Sequence, residues 1–335
     1  MIEGTNIPVF LASDENYAPF VAMTMYSILE NTKSFIDFYI LDSGISQRSK
    51  QKIAFTCKSF QNYSIEYVEI DIEKYFKDFP DRCHFSKSMY NRCLIPLVKP
   101  ELKKVVYSDV DVAFLGDIKE FYDIDLSGFG LGAPVEEGLT DDDDGEWNFA
   151  NRKNKFGINV NHRYFQSGNL LIDCDYWRKN NIIQKLFEVI KKYDKQLVCP
   201  DLDALNIVFD SQYKEISYRY SVCSSLADRK GKTQEFLDAE MNPFLTHFSG
   251  SYKPWNHDNV LFSEYFWHYM KKTAFYEQVL YQKFKIKMEE EKYISQNQIL
   301  RKISKLKRLK YKLLSKFTFG KIKQKYKDKY RNSVV

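Results

Sequence analysis

Short apolar runs alternate with helical segments over the first 115 residues, and this alternation limits the fold more than any other feature. Residues 7–12 (IPVFLA), 37–41 (DFYIL) and 104–108 (KVVYS) have the character of buried strands, and residues 64–70 (SIEYVEI) alternate as a strand does. Residues 17–30 have helical spacing, and Ser46 is suited to cap the helix that follows it. Strands separated by helices predict an α/β fold with a mostly parallel central sheet and helices on both faces.

The second half of the chain continues this pattern with longer connections. Residues 164–172 return to the core, residues 176–192 and 201–209 predict helices, and residues 244–248 (FLTHF) predict a strand. Residues 136–163 are polar and contain glycine, so they predict a long surface loop of the kind usually kept for function. We interpret the acidic run 141–144 within it as solvated, not as a second metal site.

Charge is distributed unevenly along the chain. The net charge is +5, but residues 301–335 carry 14 Lys or Arg and one acid, which leaves 36 basic and 44 acidic groups elsewhere. Ile303, Leu306, Leu309, Leu313 and Phe317 recur at helical intervals among these basic residues. Residues 285–335 therefore predict a basic amphipathic helical tail that associates with an anionic membrane surface. Nucleic-acid binding is the less favoured interpretation of the same tail.

Cysteine spacing and the N-terminus bear on the compartment. None of the six cysteines forms a C-x-x-C pair, which argues against a zinc site. The first residues, MIEGTNIPVF, lack the basic and apolar regions of a signal peptide, and no run of 18 apolar residues predicts a spanning helix. We therefore expect a cytoplasmic protein with reduced thiols, held peripherally at the inner face of the cytoplasmic membrane.

The triplet Asp109-Val110-Asp111 is the first candidate site. It follows the predicted strand 104–108 and precedes the apolar residues 112–115. Two acids in an apolar segment are costly unless something neutralises them, and hard cations prefer carboxylate oxygens. The simpler alternative is a pair of surface acids at a strand end, because a bare D-x-D triplet is common.

Two further segments carry residue types that suit a phosphorylated ligand. His247 ends a predicted strand, and the small-residue turn after it leads to Lys253, so these side chains suit a metal shell and a phosphate. Asp14, Asn16 and Tyr17 follow the first strand, at the edge where open α/β sheets bind ligands. The alternatives are a core histidine, a solvated lysine and an ordinary capping loop. The chain has neither a P-loop nor a G-x-G-x-x-G after a strand, which argues against Walker ATPases and dinucleotide oxidoreductases.

These segments occur in the order found in glycosyltransferase family 8, which the chain resembles from about residue 7 to residue 256. It is most similar to the bacterial lipooligosaccharide and lipopolysaccharide galactosyl- and glucosyltransferases of that family. The resemblance rests on the strings FLASDENYAPF, FYILDSGIS, YNRCLIPLV, VVYSDVDVAFLGDI, FQSGNLLIDCDYWR, DLDALN and HFSGSYKPW.

The resemblance implies a GT-A type, Rossmann-like domain at residues 1–284 that uses a UDP-sugar and retains anomeric configuration. UDP-galactose or UDP-glucose is the implied donor, and Mn²⁺ is the implied cofactor, with Mg²⁺ as the alternative ion. Asp109, Asp111 and His247 would hold the metal, and Glu136 matches an acidic position that contacts the acceptor. The implied catalytic residues are Asp201, Gln166 and Asp109. The implied donor-binding residues are Ala12, Asp14, Asn16, Tyr17, Arg92, Asp109, Val110, Asp111, Ser167, Gly168, His247, Gly250 and Lys253.

Two positions depart from the family pattern. Gln166 and Ser167 stand where an Asn and an Ala are usual, and Leu202 replaces the glutamine of a common Asp-Gln-Asp string. A leucine side chain neither attacks a sugar carbon nor donates a hydrogen bond. The sequence therefore argues against a mechanism that requires an amide at this position, whereas Asp201 is present.

The expected activity is transfer of a hexose from a UDP-sugar to a hydroxyl of a lipooligosaccharide or lipopolysaccharide acceptor. A protein-linked or other cell-surface glycan is the alternative acceptor. A sugar-nucleotide pyrophosphorylase is less favoured because SDENY is not a glycine-rich nucleotide loop. A non-catalytic glycan- or membrane-binding protein is less favoured because Asp109, Asp111, His247 and Lys253 are all present.

Overall fold

A computed structural model describes residues 6–79, 87–136, 148–225, 233–316 and 320–331. The chain forms two compact units, Met1–Val279 and Leu280–Val335. The sequence-based boundary between residues 284 and 285 lies a short way inside the second of these units.

The first unit is built on a seven-stranded sheet with the order β3-β2-β1-β4-β7-β6-β8. Strands β1 to β4 run parallel to their neighbours among themselves, whereas β7 runs antiparallel to both β4 and β6, and β6 pairs in parallel with β8. This confirms the predicted α/β class with a mostly parallel sheet. The strands are β1 Ile7–Ser13, β2 Ile36–Asp42, β3 Tyr63–Glu69, β4 Lys104–Ser108, β6 Leu131–Pro134, β7 Asn169–Asp173 and β8 Lys214–Ile216.

A second, three-stranded sheet has the order β5-β10-β9, with β10 antiparallel to β5 and parallel to β9. Its strands are β5 Val112–Phe114, β9 Val222–Cys223 and β10 Leu245–His247. Because only Asp109–Asp111 separates the end of β4 from the start of β5, the two sheets meet at these three residues.

Apolar side chains form a separate layer on each face of the large sheet. In β1, Val9 and Leu11 lie in one layer and Phe10 lies in the other, because successive strand residues point to opposite faces. Helices cover both layers, as expected for strands that are apolar on both faces. The helices of this unit are α1 Ala18–Asn31, α2 Gln47–Cys57, α3 Ile72–Phe76, α4 Ile95–Val98, α5 Ile118–Tyr122, α6 Phe149–Phe156, α7 Cys174–Lys179, α8 Ile182–Tyr193, α9 Pro200–Val208, α10 Gln234–Met241 and α11 Ser263–Met270.

Helix boundaries follow from capping chemistry. The Ser46 side chain accepts a hydrogen bond from the Ser49 amide and begins α2 as predicted. The single helix predicted over residues 176–192 is wrong in one respect. It is broken into α7 and α8, because Asn181 adopts a left-handed conformation with φ of 53°.

The predicted loop 136–163 is also partly helical. Helix α6 lies within it, capped by the Asn148 side chain and ended by Gly157. Its buried Phe149 and Phe156 supply the apolar contacts that a polar loop would not have. The acidic run 141–144 lies outside the described residues.

The long helix α12, Tyr276–Lys316, continues into the second unit, which also contains α13, Gly320–Arg331. The sequence placed the start of this helical tail near residue 285, so α12 begins earlier than predicted. Leu306, Leu309 and Leu313 on α12 are exposed. Among the described helices, none is both long enough and apolar enough to cross a membrane.

Candidate donor and metal site

The sheet topology brings several polar segments to one edge. Strand β4 ends at Ser108, so Asp109 stands at the carboxyl end of the sheet. Strand β7 is antiparallel to β4 and pairs its first residue, Asn169, with Ser108. Residues 166–168, which precede β7, therefore reach the edge that Asp109 occupies, and the Asp109 amide donates to the Gly168 carbonyl over 2.7 Å.

Asp109, Asp111 and His247 form a compact cluster, which we call the metal group. One ligand atom of each lies within 4.8 Å of the other two. His247 Nε2 is 3.7 Å from Asp109 Oδ2 and 3.3 Å from Asp111 Oδ1. Two carboxylates and an imidazole are a donor set that suits Mn²⁺ and, through the carboxylates, Mg²⁺.

The side chains of Asp109 and His247 lie so close to residue 168 that only glycine fits there. A Cβ at this position would lie 2.5 Å from the His247 ring and 3.0 Å from Asp109 Oδ2. Any larger residue would push apart the side chains that converge there. The glycine thus fits a site whose ligands must approach closely.

Thr24 of α1 shapes the loop that carries the two acids. Its hydroxyl is buried and contacts the carbonyl oxygens of Val110 and Val112 at 2.8 and 2.9 Å. The Phe248 amide also donates to the Asp111 carbonyl over 2.9 Å. The Val110 side chain is buried in the core, so the geometry favours a structural role for it over the predicted donor contact.

Lys253 is buried and donates both to Asp111 Oδ2 and to the Phe248 carbonyl. Burial opposes its charge, but Asp111 outweighs that effect and raises the pKa of Lys253. Burial would also raise the pKa of Asp111, yet the nearby Lys253 and His247 lower it overall. Asp111 is therefore held as a carboxylate, the form that binds cations.

Arg92 lies on a 3-10 helix, Lys87–Leu94, and is almost fully buried. It donates to Asp109 Oδ1 over 2.8 Å and lies 3.2 Å from Asp201 Oδ2. It also donates to the Ser167 carbonyl, and its guanidinium lies over the Tyr107 ring at 4.4 Å. Burial opposes the charge, but Asp109 in particular raises the pKa of Arg92, so the guanidinium stays charged.

Asp201 and Asp203 have different environments although both lie in the first turn of α9. Asp201 Oδ2 accepts a hydrogen bond of 3.0 Å from the Ser167 hydroxyl and faces Arg92. Asp203 is fully buried and pairs with Arg152 at 3.1 Å. It also accepts hydrogen bonds from the Tyr164 hydroxyl and from the amides of residues 198 and 199. Asp201 therefore belongs to the site, whereas Asp203 fixes the start of α9.

Leu202 packs into the apolar layer that covers this face of the sheet. Asn206, one turn further along α9, connects the helix to the segment before β7 through paired hydrogen bonds with the backbone of Phe165, at 3.0 and 2.9 Å. The substitution at residue 202 thus replaces an amide with a side chain that the core accommodates.

Gln166 is buried beside His247, with its Oε1 atom 3.3 Å from His247 Nδ1. Both atoms of its amide also contact Ser221. Gln166, for which the resemblance implied a catalytic role, thus lies on the side of His247 that faces away from the two acids.

The loop after β1 carries the remaining nucleotide candidates. Asp14 Oδ1 accepts hydrogen bonds from the amides of Asn16 and Tyr17, which is the capping role of the simpler interpretation. The Tyr17 ring is 38 % exposed and contacts Phe20 and Trp255 edge to face. A rigidly held and accessible ring of this kind suits stacking on a base. Ala12, at the end of β1, is half-buried.

The turn after β10 is exposed at Gly250, which has φ of 75°. The Ser225 and Ser249 hydroxyls lie 2.8 Å apart beside it.

Glu136, the residue implied to contact the acceptor, is half-buried, and its amide donates to the Tyr164 carbonyl over 2.9 Å.

Sequence reasoning missed several residues that support the site. Thr24, Tyr107, Asn169 and Ser221 are buried, and each carries a polar group. The signal for Thr24 was a hydroxyl in the middle of an apolar helix, which is costly unless it has a partner.

The chain matches the glycosyl transferase family 8 profile over residues 8–259. It is 30 % identical over 279 residues to the General stress protein A of Bacillus subtilis, a match that covers 78 % of this chain and 92 % of that protein. It is 23 % identical over 252 residues to a Lipopolysaccharide 1,3-galactosyltransferase of Salmonella typhimurium, covering 72 % of this chain and 71 % of that one.

Solved structures support the fold. The bifunctional glycosyltransferase WbbM superposes with a TM-score of 0.73 at 24 % identity, covering 85 % of this chain and 53 % of that one. The galactosyltransferase LgtC superposes with a TM-score of 0.69 at 24 % identity, covering 80 % of this chain and 96 % of that one. The protein therefore belongs to glycosyltransferase family 8, as its sequence motifs indicated, and is a sugar-transferring enzyme with the GT-A fold.

Proposed function

We propose that this glycosyltransferase moves a galactose or glucose residue from a UDP-sugar to a hydroxyl of a glycan acceptor, with Mn²⁺ as cofactor and Mg²⁺ as the alternative ion. The observation that carries the proposal is the convergence of Asp109, Asp111 and His247 within 4.8 Å, flanked by Lys253 and Arg92. An acidic metal site with two buried cations beside it suits a ligand that carries several negative charges.

Asp109, Asp111 and His247 would hold the ion, which when bound supplies electrostatic stabilisation to a departing diphosphate. Lys253 is placed to contribute a second positive charge, because its ammonium already lies against Asp111. Gly250 and Lys253 would bind the diphosphate, since a turn without a side chain lets phosphate oxygens approach the backbone. Charge stabilisation of this type accounts for much of the rate enhancement in many enzymes.

The uridine would lie on the loop after β1. Tyr17 offers an exposed ring for stacking, and Asp14 and Asn16 offer polar groups for the ribose or the base. Ala12 leaves room at the end of the strand. The loop lies near Lys253, because the Tyr17 ring contacts Trp255 edge to face and the Lys253 ammonium lies 5.6 Å from the centre of the Trp255 ring. Lys253 in turn donates to Asp111.

The sugar would lie next to Arg92, Asp109, Ser167, Gly168 and Asp201. Arg92 connects Asp109 with Asp201, so the two carboxylates that would face sugar hydroxyls are held by one guanidinium. Leu202 contributes no nucleophile, which supports attack by the acceptor on the same face from which UDP leaves. The acceptor hydroxyl would form the new bond to the sugar carbon, and the departing phosphate oxygen would take its proton.

The favoured acceptor is a lipooligosaccharide or lipopolysaccharide, and another cell-surface or protein-linked glycan is the alternative. Glu136 would contact this acceptor. The basic helix α12 would hold the enzyme against an anionic membrane on the cytoplasmic side, where a glycolipid acceptor would be presented.

A panel of UDP-sugars tests the proposal. We expect Mn²⁺-dependent release of UDP from UDP-galactose or UDP-glucose, and faster release when a lipooligosaccharide acceptor is added. The product glycoside should have the anomeric configuration of the donor, as measured by NMR. Absence of UDP release with every donor, or release of pyrophosphate instead, would contradict the proposal. A covalent sugar adduct on Asp201 would overturn same-face attack.

A further inference from the structure

Both nitrogen atoms of the His247 ring have polar neighbours. Nε2 faces the two carboxylates of the metal group, at 3.3 and 3.7 Å. Nδ1 faces away from that group, with Gln166 Oε1 at 3.3 Å and Cys223 Sγ at 3.9 Å. The orientation of the ring thus depends on what lies behind it as well as on the acids in front.

The amide of Gln166 has only one favourable orientation. Its Nε2 donates to the Ser221 carbonyl over 2.7 Å, and its Oε1 accepts from the Ser221 hydroxyl over 2.6 Å. Exchange of the two atoms would place the amide oxygen against the carbonyl oxygen, which is repulsive. Oε1 therefore faces His247, and because an oxygen of this kind only accepts hydrogen bonds, Nδ1 must carry the proton.

This assignment decides which nitrogen binds a metal. A neutral imidazole with its proton on Nδ1 has its lone pair on Nε2, the atom that faces Asp109 and Asp111. In the opposite tautomer, the proton on Nε2 would point towards the two carboxylates, and Nδ1 would have no proton to donate to Gln166 Oε1.

Gln166 is itself held by a chain of neutral, buried side chains. The Ser221 hydroxyl accepts from Asn169 Nδ2 over 2.9 Å, and Asn169 Oδ1 accepts from the Ser108 hydroxyl over 2.8 Å. Ser108 precedes Asp109, so the chain connects the strand that carries one ligand to the residue behind another. A buried network whose polar groups are satisfied is rigid, which suits a fixed ligand geometry.

We infer that Gln166 is a positioning residue for the metal centre: it holds His247 in the tautomer and orientation that direct Nε2 towards Asp109 and Asp111. The inference rests on the proposed function, because it concerns the metal that this function requires. Replacing such an orienting partner of a histidine ligand typically weakens metal binding by about 10- to 100-fold.

Mn²⁺ binding, followed by the loss of the free-ion electron paramagnetic resonance signal, tests this directly. The variant Gln166→Leu removes the acceptor at similar size and should raise the Kd for Mn²⁺ by about 10-fold or more. Its loss of turnover should be recovered by adding more Mn²⁺, a rescue that a merely structural defect would not show. Gln166→Glu keeps an acceptor oxygen opposite Nδ1 and should bind Mn²⁺ more tightly than Gln166→Leu.

Thr246→Val is the matched control. Thr246 lies beside His247 on β10, and its buried hydroxyl has no hydrogen-bond partner among the described residues. Its removal should leave the Kd for Mn²⁺ unchanged. If Gln166→Leu does not fold, Gln166→Asn carries the same test, because its shorter side chain falls short of His247.

Two results would overturn the inference. One is a Kd for Mn²⁺ in Gln166→Leu equal to that of the natural protein, and the other is an equal loss in Gln166→Leu and Thr246→Val. Failure of the proposed function looks different, because the natural protein would then bind no Mn²⁺ at this site at all.

Discussion

The Arg92 guanidinium donates to Asp109 Oδ1 over 2.8 Å, so an almost fully buried arginine partly neutralises one of the two acids of the metal group. The same guanidinium lies 3.2 Å from Asp201. Removal of its charge in Arg92→Met leaves both carboxylates without this partner and should lower the free energy of unfolding by about 3 kcal/mol. Urea denaturation measures this loss.

The variant Arg92→Lys tests whether the positive charge at residue 92 is sufficient or the planar shape of the guanidinium is also needed. A lysine keeps the charge but lacks the planar fork that reaches Asp109, Asp201 and the Ser167 carbonyl together. We expect Arg92→Lys to recover part of the stability and little of the turnover. Full turnover in Arg92→Lys would show that the fork is not needed.

In the proposed site, Lys253 would compete with a metal ion for Asp111. Its ammonium donates to Asp111 Oδ2, the carboxylate that would hold the cation. Lys253→Met should therefore bind Mn²⁺ without nucleotide at least as tightly as the natural protein, but should bind UDP about 10-fold more weakly or worse. Calorimetric titrations with each ligand separate the two effects, and weaker Mn²⁺ binding with unchanged UDP binding would contradict this account of Lys253.

Asp201 and Asp203 provide a matched pair of variants. Asp203→Asn removes a carboxylate charge that pairs with buried Arg152 at 3.1 Å and should lower the free energy of unfolding by about 3 kcal/mol or more. Asp201→Asn should reduce turnover at least 100-fold. Its denaturation midpoint should lie closer to that of the natural protein than the midpoint of Asp203→Asn does. The double variant Arg152→Met with Asp203→Asn should lose less stability than the two single losses combined. Additive losses would show that the pair is not coupled.

Burial controls the reactivity of the thiols. It raises the pKa of Cys57, Cys93 and Cys174 to about 12 in each case. At pH 8 only about one thiol in ten thousand is then ionised, and iodoacetamide reacts with the thiolate. Mass spectrometry should find these three cysteines unmodified in the folded protein and alkylated in urea. Rapid alkylation of the folded protein would contradict the packing around them.

Charge on α12 should govern attachment to anionic vesicles. Each Lys or Arg near such a surface contributes about 1 kcal/mol, so five neutralising substitutions should weaken binding on the order of 1,000-fold or more. Flotation with phosphatidylserine vesicles measures the effect, and unchanged binding would refute the role of the helix. The test variant carries Gln at Lys305, Lys307, Arg308, Lys310 and Lys312. The control carries Gln at Lys33, Lys58, Lys185, Lys191 and Lys192.

The sequence predicted β1, β2 and β4 because these strands are apolar runs that end in polar residues, and β3 because its residues alternate. The run into Asp109 and the strand that ends at His247 both occur where they were expected. The two acids and the histidine converge because β10 pairs with β5, which directly follows the acids. That pairing connects segments more than 130 residues apart, and no local pattern predicts it.

Residues with a partner distant in sequence were harder to assign. The resemblance implied a catalytic role for Gln166, but no pattern in the sequence indicates that Ser221 holds its Oε1 atom towards His247. Helix α6 was hidden in a polar segment because its buried Arg152 pairs with Asp203, which lies 51 residues later. In both cases a long-range polar contact decides the structure, and such contacts leave no periodic signal.

The rate of UDP release as a function of Mn²⁺ concentration, compared between the natural protein and Asp111→Asn, tests the central claim most directly. Asp238→Asn, a change at an exposed carboxylate on α10, serves as the control. We predict Mn²⁺-dependent release in the natural protein and the control, and a loss of about 100-fold or more in Asp111→Asn. Near-normal, Mn²⁺-dependent release in Asp111→Asn would contradict the assignment of Asp109, Asp111 and His247 as the metal site.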